Sequence, residues 1–192
     1  EESGCFVVTA ECGEYLLPHR AQIPRHYLPS SIGIIKTLND FTNLASLNWE
    51  EALKVFASPF FCNIFHENAE YYTLLYRGLT QLRCSSHEME EFLIAAGKKK
   101  RSLFSVEKQE LEFSVSVQPA GAVISVWKSE WGYVDLRVSC VASFVSLEKQ
   151  RLQMYDFRGK HADLSVQVIP RLMHRGKNYA VITVENCFQK EE

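Results

Sequence analysis

Near Gly97 the spacing of apolar residues falls from threes and fours to twos, and this change limits the fold more than any other feature of the sequence. Before it, Ile34, Ile35, Leu38, Phe41, Leu44 and Ala45 fall along one face of a helix. After Arg101, Leu111, Phe113, Val115 and Val117 alternate with Glu112, Ser114, Ser116 and Gln118, as on a half-buried strand. The charge divides at the same place. Residues 1–97 carry 6 Lys and Arg against 12 Asp and Glu, a net of −6, while residues 98–192 carry 15 against 11, a net of +4.

The first half reads as a short strand followed by about four helices. Residues 5–10 have the β-branched and aromatic content of a strand, and Pro18, Pro24 and Pro29 then deny the backbone ladder donors and helix interiors. Ser30 or Ser31 is expected to cap the first helix, and Asn48 with Glu51 reads as the capping pair of the second. Ser58-Pro59 ends that helix and opens a long one over residues 60–82. Ser85 with Glu88 forms an S-x-x-E box for the last helix, and Gly97 stands where a left-handed terminating residue belongs.

The second half reads as six strands at residues 111–118, 122–127, 134–144, 152–157, 164–169 and 179–184. Their spacing leaves no room for parallel crossovers, so the expectation is an antiparallel β-sandwich or small barrel. The whole is an α+β chain: a mainly helical region at 1–97, a basic linker at 98–105 and a β region at 106–188, with the option that both share one core.

Composition narrows the function classes. At 46% hydrophobic and 23% charged residues the chain can bury a core without metal or disulfide staples. The longest nearly apolar stretch, 56–65, is broken by Ser58, Pro59 and Asn63 and is far below the roughly 20 residues of a membrane helix, so no membrane partner is expected. Six scattered cysteines and the lack of any Asn-x-Ser/Thr sequon point to an intracellular protein. Both ends read as cuts in a longer chain.

Four residue sets are candidates for chemistry. Cys62 and His66, four apart on an expected helix, could join Cys84 and His87 as a tetrahedral zinc site, so a zinc-stabilised domain is one alternative. Cys62 also sits among Phe60, Phe61, Ile64 and Phe65, where a thiol behaves as a small apolar group. The second set, Glu88, Glu90 and Glu91, offers carboxylates in one turn, but acids near a helix start also complement its dipole. No nucleophile elbow, phosphate-binding glycine loop or H-E-x-x-H accompanies them, so no catalytic residue is assigned.

The third set is basic. Lys98, Lys99, Lys100 and Arg101 resemble a nuclear-import cluster, while Arg151, Arg158, Lys160, Arg171, Arg175 and Lys177 fall at expected turns and could gather on one edge of the β half. Together they carry the nucleic-acid alternative. The fourth is aromatic. Phe60, Phe61, Phe65, Tyr71, Tyr72 and Tyr76 lie within seventeen residues, more than one helix can bury around itself unless other elements cover several sides, and Phe60, Tyr71, Tyr72, Trp127 and Trp131 are the candidate anchors for a protein partner. The resulting expectation is a non-enzymatic protein–protein interaction or scaffolding module of a larger intracellular protein, with a nuclear location suggested by the basic cluster, no cofactor, and another protein subunit as its partner.

Overall fold

The computed structural model describes residues 28–107, 110–114 and 119–192, and it is an α+β chain that divides into two compact units between Lys98 and Lys99. Among the described residues there are four α-helices and ten strands, every strand pair antiparallel. The strand expected at 5–10 lies outside them. No described helix is long and apolar enough to cross a membrane.

The described part of the first unit begins with a hairpin, β1 (Leu28–Ser30) and β2 (Gly33–Ile35), in place of the expected start of the first helix. Gly33 at φ 108° makes the turn that L side chains avoid, and Pro29 is tolerated because a two-stranded ribbon has only edges. Helix α1 (Leu38–Leu47) is therefore capped by Thr37, not by Ser30 or Ser31. The Thr37 hydroxyl accepts from the Asp40 amide at 3.1 Å, and the Asp40 carboxylate accepts from the Thr37 amide at 2.9 Å.

Helix α2 (Trp49–Phe56) starts at Asn48, whose side-chain Oδ1 accepts from the Glu51 amide. The long helix expected over 60–82 is interrupted. A 3-10 turn spans Phe61–Ile64, Asn68 takes a left-handed φ of 51°, and only then does α3 (Ala69–Thr80) begin. Ser85 and Glu88 form the box that opens α4 (Ser86–Ala95). Gly97 at φ 68° lets the Lys98 amide reach the Leu93 carbonyl at 2.9 Å, which closes the helix.

An aromatic core holds this unit. Phe61 lies 4.7 Å from Phe41, 5.0 Å from Phe56 and 5.7 Å from Phe92, mostly edge-on, the geometry that ring quadrupoles favour. Tyr76 closes the group from α3, and its hydroxyl donates to the Phe56 carbonyl at 2.8 Å.

The second unit contains two four-stranded sheets. One has the order β3 (Phe104–Val106), β4 (Ala120–Lys128), β8 (His161–Val168), β6 (Val145–Leu147). The other has the order β10 (Lys190–Glu191), β9 (Ile182–Glu185), β5 (Asp135–Cys140), β7 (Arg151–Gln153). Ile124, Val126, Leu164 and Val166 from the first sheet and Leu136, Val138, Leu152 and Val184 from the second share one buried cluster. The period of two puts these side chains inward and their neighbours Ser125, Arg137 and Gln167 outward.

Four expected strands differ, the one at 179–184 beginning only at Ile182. Residues 111–114 form no strand, and 115–118 lie outside the described set. The alternation over 134–144 ends at Cys140, because fully exposed Val141 begins a crossing that delivers β6 to the other sheet. The run at 152–157 is β7 followed by a 3-10 turn at Met154–Asp156.

Candidate functional site

Helix α3 departs from the rest of the first unit. It is 12 residues long and none of them, all described, is buried; Tyr71, though largely exposed, donates its hydroxyl to the Ala95 carbonyl of α4 at 3.4 Å. At roughly 100° per residue, Tyr72, Tyr76 and Leu79 share the side that meets the aromatic core, with the Tyr72 ring 5.7 Å from Phe65. Tyr71, Leu74, Leu75 and Gly78 fall within an arc of about 100° on another side. There Tyr71 is 55% and Leu74 65% exposed, and just past the helix Leu82 is 98% exposed. Glu70 and Arg77 lie together along one flank of this stripe, both exposed.

The two tyrosines expected to act together are thus divided by their positions on the turn. Tyr71 belongs to the outward stripe, while half-buried Tyr72 belongs to the packing side, with their rings 5.4 Å apart. Phe60, 36% exposed, precedes the 3-10 turn. In the second unit Trp127 is 45% exposed on the outer side of β4, tilted over the His161 ring at 5.1 Å. Trp131 is half-buried, and Lys99 lies over its ring and donates to its carbonyl at 2.6 Å.

The zinc set does not converge: among the described residues no group of three or more His, Cys, Asp or Glu side chains is placed to hold a metal ion. Cys62 is half-buried on the 3-10 turn, where burial pushes its thiol up. The His66 ring nitrogen is 2.9 Å from the Lys36 carbonyl. Cys84 precedes α4, with its thiol raised by burial and then by Glu88, and His87 occupies the first turn of α4, where its amide donates to the Ser85 hydroxyl. Burial of the Tyr76 phenol, with the Cys84 and Cys62 thiols nearby, pushes it up to about 12.

Glu88 serves the helix start. Burial would raise its carboxyl, but hydrogen bonds from Ser85 and Arg83 outweigh that and hold it below the ordinary range. Glu90 is buried and Glu91 half-buried on the same helix.

Five of the basic candidates take part in contacts within their own unit. The Lys98 ammonium donates to the Asn39 side chain at 2.9 Å, Lys160 donates to the Ser129 carbonyl at 2.6 Å, and Arg101 stacks over Phe188 at 3.8 Å. Lys99 is the Trp131 partner already described. Arg151 forms a two-pronged pair with Asp135, whose carboxyl this guanidinium holds below the usual carboxylate range. Lys100 and Arg158 are exposed. Arg171, Arg175 and Lys177 are exposed on one loop that the Asn178 side chain fastens by bonds to the His174 amide and to the carbonyls of His174 and Gly176.

A cavity of about 690 Å³ opens in the second unit between the segments around Phe113, Tyr179 and the strand residues Ile124, Val166 and Val184. Its walls mix aliphatic side chains with the polar Glu112, Ser114, Lys177, Asn178, Glu191 and Glu192, and no histidine or cysteine lies among the described residues that line it.

The whole chain, residues 1–192, matches the family model described as "Family of unknown function (DUF5717) N-terminal", and the chain belongs to that family. No curated protein matches it, and no solved structure does.

Sequence reasoning missed Leu74, Gly78 and Leu82. The signal was present as an i, i+3, i+4, i+7 pattern from Tyr71, but Tyr72, Tyr76 and Leu79 form a second apolar row on the same helix, and spacing alone does not say which row faces the core.

Proposed function

We propose that this chain is a non-enzymatic protein-interaction module of a larger intracellular protein, and that it docks its partner through the outward stripe of α3. What carries the reading is the exposure of Tyr71 and Leu74 on a helix with no buried residue, and of Leu82 just past its end. Burying a Leu or aromatic side chain stabilises by roughly 1.5–3 kcal/mol, so a partner covering these groups gains several times thermal energy. The second unit is proposed to be a β-sandwich that serves as a rigid scaffold; the shared cluster of Val126, Leu136, Leu164 and Val184 supports this. The test is a photo-crosslinking amino acid placed at Leu74 of the full-length protein in its own cells, with Glu50, exposed on α2, as the control. One discrete protein adduct at Leu74 and none at Glu50 is expected. Equal labelling at both positions, or none at Leu74, overturns the reading.

One observation favours a second use. Arg171, Arg175 and Lys177 stand exposed on a single fastened loop, an arrangement suited to phosphates. Titration with labelled single-stranded RNA would then show affinity falling with salt, and Arg175→Ala with Lys177→Ala would lower the logarithmic slope by about 1.4. An absence of binding at low salt removes this use.

A further inference from the structure

Resting on the docking role of α3, we propose that the partner is a second copy of this chain, with the two α3 helices packed antiparallel across the stripe from Tyr71 to Gly78. Three features of the stripe support this occupant.

The first is Gly78. Glycine weakens a helix relative to alanine, so its presence as the third-to-last residue of α3 asks for a reason. Its φ is not in the left-handed region, and a Cβ built there meets no atom within 4 Å. Nothing described within the chain requires a glycine, whereas a second helix approaching closely on the outside would.

The second is the self-complementary spacing. A two-fold symmetric contact must match a patch to itself. With the axis close to Leu74, Tyr71 of one copy falls opposite Gly78 of the other, and the same happens again across the axis. A large ring is set against a missing side chain, with Leu74 and Leu75 filling the centre. The spacing from Tyr71 to Gly78 is seven residues, two turns, so both matches occur on one face at once.

The third is charge. Glu70 and Arg77 occupy one flank of the stripe. In an antiparallel pair the residues of one flank meet the same flank of the other helix, so Glu70 of each copy faces Arg77 of the other. One ion pair and one ring-into-gap contact are thus each made twice by the axis, two of each per dimer.

The test is sedimentation velocity of the purified full-length protein over a range of concentrations, with circular dichroism to show that each variant is folded. The expected result is a monomer–dimer equilibrium that Leu74→Asp weakens at least 100-fold. Glu70→Arg alone and Arg77→Glu alone should each weaken it roughly ten-fold, two surface ion pairs being replaced by like-charge contacts in every dimer. The double variant Glu70→Arg/Arg77→Glu restores the pairs in reverse and should return association to within about three-fold of the parent. A protein that stays monomeric at all concentrations overturns the proposal, as does a dimer indifferent to Leu74→Asp or a double variant no better than the single ones. A monomer whose Leu74 crosslinker still captures a different protein rejects the second copy and leaves the docking reading standing.

Discussion

Helices α3 and α4 lie in the same unit, are similar in length, and both repeat apolar residues at threes and fours, yet α4 buries Met89, Phe92 and Leu93 while α3 buries none of its residues. Aromatic rings account for much of the difference. Phe92 reaches Phe56, Phe61, Phe65 and Tyr76 from α4, whereas α3 contributes to the same group chiefly through Tyr76 and Tyr72 and leaves its other apolar row outside. Apolar periodicity identifies a helix, but the number of apolar rows decides whether it also has a face to spare.

The largest expected effect falls on the buried helix. Phe92→Ala removes a ring touching four others and should cost about 3–5 kcal/mol in urea unfolding, whereas a loss below about 1 kcal/mol would mean that α4 is no more central than α3. Next comes the α4 start. Ser85→Ala deletes the hydroxyl that accepts from the His87 amide and donates to Glu88, and should cost about 1 kcal/mol. The same turn gives α4 an acid sensitivity. Because the Glu88 carboxyl is held below its ordinary value on folding, its contribution is complete above about 4.5, the unfolded-state value, and is lost as pH falls through the lower folded value. Glu88→Gln should remove that part of the pH dependence of stability, and an unchanged acid limb would contradict the assignment.

A smaller effect of opposite sign is expected on α3. Gly78→Ala places a methyl group in open space at helical φ and should raise stability by about 0.5–1 kcal/mol. A loss instead would show that the outward side of α3 is covered within the folded chain.

Much of this architecture can be read from the sequence where a side chain bonds its own backbone. Asn48 with Glu51, Ser85 with Glu88 and the terminating Gly97 are local devices, and the structure uses each of them. Reading failed where two patterns overlap. Ile34 and Ile35 fit both a helical row and a strand, and the turn at Gly33 decides for the strand. The break between residues 60 and 82 is made by Asn68 in a left-handed conformation, with no proline or glycine to announce it. The alternation after Val134 runs on past the point where the chain leaves its sheet, because Ala142 and Phe144 keep the period while the backbone crosses to another neighbour. Of the candidate site, Tyr71 was legible as an aromatic on a crowded helix. Leu74, Gly78 and Leu82 were not, since outward orientation is a property of what packs on the far side.

The exposure of that stripe is tested most directly by urea unfolding of Leu74→Gln at a concentration low enough to keep the protein monomeric. Leucine and glutamine have nearly equal helix propensity, so a side chain that faces solvent in the free chain should change stability by less than about 0.5 kcal/mol. A loss of about 2 kcal/mol or more would place Leu74 in the core and contradict the account of α3 as a docking surface.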